Sequence, residues 1–261
     1  MAPRITHVSS RDNPLLVRLR RQARHPGDYR KHGEVLLEGE HLCEVWRRHG
    51  KTPVSTALVA ASAWSSGEVP AAAMTAPVLV VVADALMAGI GSLDTPASIA
   101  CLVPLPPPPP IRPDLASVVL DRLQDAGNVG SILRSAAAFG VRQVLALRGT
   151  ALLWSPKVLR AAMGAHATLQ LVEGLDEAAL DGLSVPLLGT SSHAGRALAE
   201  VALPWPSAWV LGNEGEGVSP SLQARCALQL RIPQPGGEES LNVGAAAAIC
   251  LYESSRQRPP S

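Results

Sequence analysis

The chain has 261 residues, of which 47% are hydrophobic, 17% charged and 3% aromatic, and its net charge is +1. These values are typical of a soluble globular protein with one large or two smaller domains, and so few aromatic residues argue against a surface on which single-stranded bases stack. The four cysteines form no Cys-x-x-Cys pair and the seven histidines are dispersed, so we expect a reducing cytoplasm, no disulfide framework and no metal site.

Basic residues are concentrated at the N-terminus. Residues 1–31 contain eight Arg or Lys against two Asp, a net charge of +6, so the remaining residues carry −5. Such a run is either a solvated helix face or a surface that meets a polyanion. No apolar segment follows it, and the longest apolar run of the chain is strand-sized, so we expect neither a signal peptide nor a membrane span.

The first hundred residues predict a small α/β domain. Helices are predicted at 14–24 and 40–49, and strands at 34–37, 55–60, 78–82 and 99–103, whereas residues 61–76 show no clear pattern. Six prolines between 104 and 110, followed by Pro113, predict a stiff linker over residues 104–113 that separates domains 1–103 and 114–261. The alternative is an exposed loop within one domain.

The second domain alternates strand-like and helical segments, which predicts a parallel sheet covered on both faces. Its strands are predicted at 117–120, 141–147, 168–172, 186–190, 208–211 and 228–232, and its helices at 129–139, 156–165, 176–183, 220–226 and 242–256. In such sheets ligands bind beyond the carboxyl ends of the strands.

Three motifs lie at these strand ends. The first runs from Asp125 to Gly140, where Asn128 is a candidate helix cap and Arg134 projects one turn into the helix. The second, residues 211–217 (LGNEGEG), is here called the glycine-acid loop. The third joins residues 232–233 (IP) to 240–243 (SLNV), where Ser240 or Asn242 caps an Ala-rich helix. Each motif alone is also explained by ordinary capping, turn formation and core packing.

The glycine-acid loop carries the most chemical information. Glycine-rich turns after strands often cradle phosphates, but here Glu214 and Glu216 stand among the glycines and no lysine follows. The loop therefore favours a ligand that is neutral or cationic where it touches, although Glu216 is also explained as a solvated side chain. No G-x-G-x-x-G follows the first strand of an α/β unit, which disfavours a dinucleotide-dependent oxidoreductase.

Taken together and in this order, the three motifs resemble those of the SpoU (TrmH) family of RNA ribose methyltransferases in the SPOUT superfamily, over residues 114–256. The N-terminal domain resembles, more loosely, the family's small substrate-binding domain at residues 36–41 (LLEGEH). The resemblance implies a parallel-sheet catalytic domain with a C-terminal trefoil knot, a homodimer, and S-adenosylmethionine bound by Gly212, Ile232 and Leu241, with Thr190 as a further contact.

The resemblance also implies that Asn128, Arg134, Glu214 and Asn242 are catalytic, and that Ser240 contributes a hydrogen bond. Because an arginine has a pKa above 12, we expect Arg134 to grip a phosphate and stabilise alkoxide charge rather than act as a base. Many members have a serine where this chain has Gly244, a difference that we expect to affect helix packing more than chemistry.

The resemblance gives the basic N-terminus a purpose, because Arg18, Arg20, Arg21 and Arg24 are then candidates to bind RNA phosphates. We expect a cytoplasmic 2′-O-ribose methyltransferase that acts on rRNA in preference to tRNA, with no metal and no membrane partner. The alternatives are a tRNA 2′-O-methyltransferase and a catalytically inactive RNA-binding protein of the same fold.

Overall fold

A computed structural model describes residues 3–91, 96–191, 195–236 and 241–258. The chain falls into two units, Met1–Pro107 with Trp154–Ala167, and Pro108–Leu153 with Thr168–Ser261. They are called unit 1 and unit 2. Segment Trp154–Ala167 belongs to unit 1 although it lies beyond the prolines in sequence, a feature that the sequence does not predict. The domain boundaries 1–103 and 114–261 stay a prediction.

Unit 1 contains a five-stranded mixed sheet of order β1-β4-β3-β5-β2, in which β1, β4 and β3 are parallel and β5 is antiparallel to β3 and β2. Its strands are β1 (Arg4–Val8), β2 (Glu34–Glu38), β3 (Thr56–Ala60), β4 (Val78–Val82) and β5 (Ile99–Pro104). Its first six helices are α1 (Pro14–Arg24), α2 (Asp28–His32), α3 (Glu40–His49), α4 (Ala61–Ser66), α5 (Ala71–Met74) and α6 (Asp84–Met87).

Helix α1 shows how the sequence produces an element of unit 1. The side chain of Asn13 accepts a hydrogen bond from the Leu15 amide, and Pro14 occupies the first turn, where a missing N–H does no harm. Leu16 and Leu19 are fully buried in a cluster with Leu58 and Val80 of the sheet. The basic residues of the helix lie off this buried face, with Arg18 and Arg20 half-buried and Arg21 and Arg24 exposed.

Unit 2 contains a seven-stranded sheet of order β10-β12-β9-β11-β6-β7-β8, and all its pairings are parallel, as predicted. Its strands are β6 (Ser117–Asp121), β7 (Gln143–Leu147), β8 (Gln170–Leu175), β9 (Leu187–Thr190), β10 (Arg196–Ala197), β11 (Ala208–Gly212) and β12 (Leu228–Arg231). The remaining helices are α7 (Ala126–Ala138), α8 (Pro156–Ala162, in unit 1), α9 (Pro220–Arg225) and α10 (Val243–Gln257).

A few elements depart from the predictions. Strands β1 and β10 and helices α2 and α6 are absent from the sequence-based assignment because they are short, and α4 and α5 occupy the stretch without a pattern. The predicted helix at 176–183 is a 3₁₀ segment, Glu177–Gly182. Such tight turns share the helical periodicity at this length, so the sequence alone does not separate them.

The order of the central strands positions the candidate site. Strands β12, β9, β11 and β6 are neighbours and run in the same direction, so their carboxyl ends lie side by side at one edge. Helix α10 returns to pack against α7 and β11, and the Trp209 indole donates a hydrogen bond of 2.8 Å to the Ser254 hydroxyl. The loops that follow these strands therefore meet at one place.

Candidate active site

A cavity of about 580 Å³ lies at the carboxyl ends of β9, β11 and β12. All four predicted cofactor residues line it: Thr190, Gly212, Ile232 and Leu241. Two predicted catalytic residues, Glu214 and Asn242, line it as well. The other lining residues include Val218, Gln223 and Gln234, which were not singled out in the sequence. Residues from four separate segments therefore share one cavity.

The glycine-acid loop forms one wall of this cavity and is a tight turn. The Asn213 side chain accepts hydrogen bonds from the amides of Gly215 and Glu216, at 2.9 and 3.1 Å, while its backbone oxygen accepts from the Gly217 amide at 2.8 Å. At Gly212 a Cβ atom would overlap the backbone of Gly217 and Val218. Only glycine fits this close approach of two backbone segments.

The two glutamates of the loop have different surroundings. Glu214 accepts hydrogen bonds from the Asn128 side chain at 3.2 Å and from the Gln124 and Asp125 amides at 3.4 and 3.3 Å. Its partial burial raises the pKa, but these hydrogen bonds lower it, and the pKa of Glu214 lies below its ordinary value. Glu214 is therefore a carboxylate at neutral pH.

Glu216 is exposed, as expected if it is a solvated side chain. It also has a partner that the sequence does not reveal. Its carboxylate accepts a hydrogen bond of 2.8 Å from the Arg122 guanidinium. Arg122 directly follows β6, and nothing in the sequence indicates that an arginine there turns toward the loop. The charge of Glu216 is therefore balanced within the protein.

A chain of side-chain hydrogen bonds connects the three motifs. The Asn128 amide group donates to Glu214, and the Asn242 amide group donates to the Asn128 Oδ1 atom at 2.9 Å. The three residues come from α7, the glycine-acid loop and the start of α10. A donor–acceptor relay of this kind fixes which way each side chain points.

The helix caps correct one prediction. The sequence predicts Asn128 as the cap of α7, but the helix begins three residues earlier and Asp125 is the cap, accepting from the Asn128 amide at 2.7 Å. This leaves the Asn128 side chain free for Glu214. Asn242 caps α10 by accepting from the Gly244 and Ala245 amides at 2.9 and 3.2 Å. The other predicted cap, Ser240, lies outside the described residues.

Arg134 is not brought to the cavity in the single chain. It lies exposed on α7, and no hydrogen bond or ion pair holds its guanidinium among the residues that the structure describes. Helices α7 and α10 pack closely, and a Cβ atom on Gly244 would lie 3.5 Å from that of Ser131. Asn128, Glu214 and Asn242 are therefore assembled, whereas Arg134 points to solvent.

Three of the four arginines proposed for RNA have partners within unit 1. Arg18 pairs with Glu34 at 2.6 Å, Arg21 with Asp28 at 3.1 Å, and Arg20 donates to the Arg11 carbonyl at 2.7 Å. Arg24 is exposed and has no such contact within the described ranges. The assignment of these residues to RNA stays a prediction, with Arg24 the most available of the four.

Two kinds of feature are absent from the described residues. No group of three or more His, Cys, Asp or Glu side chains is arranged to hold a metal ion. In the same ranges, no helix has the length and apolar character required to cross a membrane.

Comparisons with known proteins agree with the geometry. Residues 116–252 match the model of the SpoU rRNA Methylase family. An uncharacterized tRNA/rRNA methyltransferase of Synechocystis is 33% identical over 97% of this chain and 95% of its own length. The 23S rRNA (guanosine(2553)-2′-O)-methyltransferase RlmP of Bacillus subtilis is 31% identical over 85% of this chain and 88% of its own.

A solved structure extends the likeness to three dimensions. The SpoU methyltransferase AviRb from Streptomyces viridochromogenes, in complex with the cofactor AdoMet, superposes with a TM-score of 0.82 at 26% identity. The match covers 94% of this chain and 98% of that one. Both units are therefore included in the likeness.

Proposed function

The chain belongs to the SpoU rRNA methylase family, and from that premise we propose that it transfers a methyl group from S-adenosylmethionine to a ribose 2′-hydroxyl of rRNA. One observation carries the proposal: Thr190, Gly212, Ile232 and Leu241 line the same cavity as Glu214 and Asn242. A cofactor held there lies beside the hydrogen-bonded chain that joins the three motifs.

The residues of the cavity fit this cofactor. Its volume of about 580 Å³ lies within the range of small-molecule sites. No lysine or arginine is among its described lining residues, whereas Glu214 and Glu216 are, so the site suits a cation better than a phosphate. Gly212 allows the backbone to approach closely. S-adenosylmethionine supplies an electrophilic methyl group on a positively charged sulfonium.

The protein must help the ribose hydroxyl to act as a nucleophile. A hydroxyl is a weak nucleophile and loses its proton as it attacks. We assign to Arg134 the stabilisation of the developing alkoxide and the grip on a neighbouring phosphate, because a guanidinium donates several hydrogen bonds and keeps its charge. Glu214, Asn128 and Asn242 orient the ribose and the walls of the site.

A homodimer is the assembly that we propose. Helix α10 exposes two apolar side chains that are three residues apart: Ile249 is 39% exposed and Tyr252 54%. Tyr252 also contacts Phe139 at the end of α7, with ring centroids 5.9 Å apart. Clustered exposed apolar side chains are typical of an interface. A second copy placed on this face brings a second α7, and hence a second Arg134, near the first site.

The names of relatives favour rRNA over tRNA, since RlmP is named for a 23S rRNA nucleotide. A cytoplasmic location follows from such a substrate and is part of this proposal. We also propose that the C-terminal segment threads the family's trefoil knot, and that the first unit is the substrate-binding domain. The return of α10 onto α7 and β11 after β12 supports the knot.

The activity is tested by incubating the full chain with methyl-labelled S-adenosylmethionine and either rRNA or tRNA. We expect label in rRNA, at a position that resists alkaline hydrolysis. A 2′-O-methyl group blocks the alkaline cleavage of the phosphodiester bond at that nucleotide. Label in tRNA alone would overturn the substrate assignment, and cofactor binding without transfer to any RNA would indicate the inactive RNA-binding protein. Mapping 2′-O-methyl sites in rRNA from cells that lack the protein identifies the nucleotide.

A further inference from the structure

Arg122 has an unusual backbone conformation for its residue type. Its φ is 58°, one of two positive values at non-glycine positions in the described chain. A side chain in this left-handed region is strained, and such strain persists only when surrounding contacts hold it. Arg122 therefore has contacts that compensate for the strain, and its hydrogen bonds lead to the glycine-acid loop and to the last residue of β6.

The guanidinium of Arg122 connects two carboxylates. Its Nε donates a hydrogen bond of 3.0 Å to Asp121 Oδ1, and its Nη1 donates one of 2.8 Å to Glu216 Oε2. The Asp121 side chain is only 3% exposed. These contacts raise the pKa of Arg122, first through Asp121 and then through Glu216, so the guanidinium stays charged. A planar fork makes such a double contact, which an ammonium group does not reproduce.

The loop is anchored at two further points by the same two residues. The Asn213 side chain donates to the Arg122 carbonyl oxygen at 3.0 Å, and Asp121 Oδ2 accepts from the Ser219 amide at 2.7 Å. Asn213 in turn holds the amides of Gly215 and Glu216. Asp121 and Arg122 thus secure the loop before, within and after its two glutamates.

We propose that Arg122 is a positioning residue that holds the glycine-acid loop against the end of β6, and that it thereby sets the affinity of the cavity for S-adenosylmethionine without touching the reacting groups. This role rests on the proposed function. Six residues of the cavity wall, from Gly212 to Gly217, belong to the segment that Arg122 secures. Arg134, to which the stabilisation of the reacting hydroxyl is assigned, forms no hydrogen bond with Arg122 in the described part of the chain.

The test measures cofactor binding by calorimetry in the full chain, for Arg122→Gln, Arg122→Lys, Glu216→Gln and the double variant Arg122→Gln/Glu216→Gln. We expect Glu216→Gln and Arg122→Gln each to weaken binding about threefold to fivefold, the range of a partly exposed ion pair. The double variant should bind the cofactor no more weakly than Arg122→Gln, because both substitutions remove the same contact, the ion pair between Arg122 and Glu216. Arg122→Lys should fall between wild type and Arg122→Gln.

Two readouts separate positioning from other roles. The kcat at saturating cofactor should stay within about twofold of wild type, since only binding is affected. S-adenosylhomocysteine, which lacks the sulfonium charge, should lose the same factor in affinity as S-adenosylmethionine. Arg112→Gln is the matched control, because Arg112 forms an exposed ion pair with Asp114 at 3.6 Å in unit 2 and neither residue lines the cavity, and this variant should bind the cofactor like wild type.

Several results would overturn the proposal. If Glu216→Gln is folded and binds with wild-type affinity, Arg122 does not act through the loop. A loss confined to S-adenosylmethionine would mean that Arg122 acts through charge alone, and a fall in kcat at saturating cofactor would place it among the reacting groups. If wild type itself does not bind S-adenosylmethionine, the proposed function fails, and the positioning role fails with it.

Discussion

Asn242 donates a hydrogen bond of 2.9 Å to Asn128, although the two residues are 114 positions apart in the chain. Each stands at the N-terminal end of a helix, Asn128 in the first turn of α7 and Asn242 as the cap of α10. The contact connects the first motif to the third, and Asn128 extends it to Glu214 in the second. The consequences of this arrangement can be measured.

Arg134→Ala should abolish methyl transfer while leaving the affinity for S-adenosylmethionine nearly unchanged. Arg134 is exposed and does not line the cavity, so its removal should affect the reacting hydroxyl and the grip on the RNA phosphate rather than the cofactor. Loss of one such donor lowers kcat by about 100-fold or more. An assay with methyl-labelled S-adenosylmethionine measures the transfer, and calorimetry measures the affinity for the cofactor. Arg142→Ala, another exposed arginine, is the control, and a collapse of cofactor affinity in Arg134→Ala would contradict this division of roles.

Asn242→Asp should separate helix capping from the role of Asn242 in the site. An aspartate still accepts from the Gly244 and Ala245 amides and suits a helix N-terminus, so the Tm should stay close to that of wild type. It does not donate to Asn128, so activity should fall. Asn242→Ala should lower both the Tm and the activity, and the free energy of unfolding should fall by about 1 kcal/mol. Full activity in Asn242→Asp would show that the contact with Asn128 is dispensable.

Gly212→Ala should disrupt the cavity. Its Cβ atom meets the backbone of Gly217 and Val218 rather than a flexible side chain, so the loop must move, at a cost of about 1–3 kcal/mol in stability. Chemical denaturation and cofactor titration measure the two effects. Gly215→Ala is the matched control within the same loop, since its Cβ atom would meet only Asn213 Oδ1, at 3.6 Å. Equal behaviour of the two variants would disprove the packing argument.

Glu214→Gln should change how the free energy of unfolding depends on pH in the acid range. The pKa of Glu214 in the folded protein lies below its ordinary value of 4.5, so the unfolded chain binds the proton more tightly. The resulting stabilisation is fully present above pH 4.5 and is lost as the pH falls through the folded-state pKa. Urea midpoints between pH 6 and pH 3 should therefore fall less in Glu214→Gln than in wild type. An identical pH dependence would contradict the prediction.

Arg24→Ala should weaken RNA binding and lower the slope of log K against log salt by about one, as expected for one lost phosphate contact. Its guanidinium has no partner within the described ranges, so it is available to a phosphate. Arg47→Ala is the comparison within unit 1, because Glu44 already holds Arg47 through hydrogen bonds of 2.8 and 2.7 Å. Titration of an rRNA fragment at several salt concentrations distinguishes them, and equal salt slopes would remove Arg24 from the interface.

The sequence by itself determined the local structure and the inventory of the site. Helix α1 and strand β4 have the bounds that their apolar patterns predict, because propensity, capping and periodicity act over a few neighbouring residues. The parallel sheet followed from the alternation of strands and helices. The carboxyl ends of parallel strands share an edge, so the motifs that follow them were expected to meet, and the resemblance to the SpoU family assigned Thr190, Gly212 and Ile232 to one site.

Only the tertiary structure decided how these residues are connected. Asp125 rather than Asn128 caps α7, Arg122 turns to Glu216, and segment Trp154–Ala167 joins unit 1. Each outcome depends on the direction of a side chain or on packing between segments far apart in sequence. A left-handed arginine is stable only where its neighbours compensate for the strain, and those neighbours are contributed by the fold.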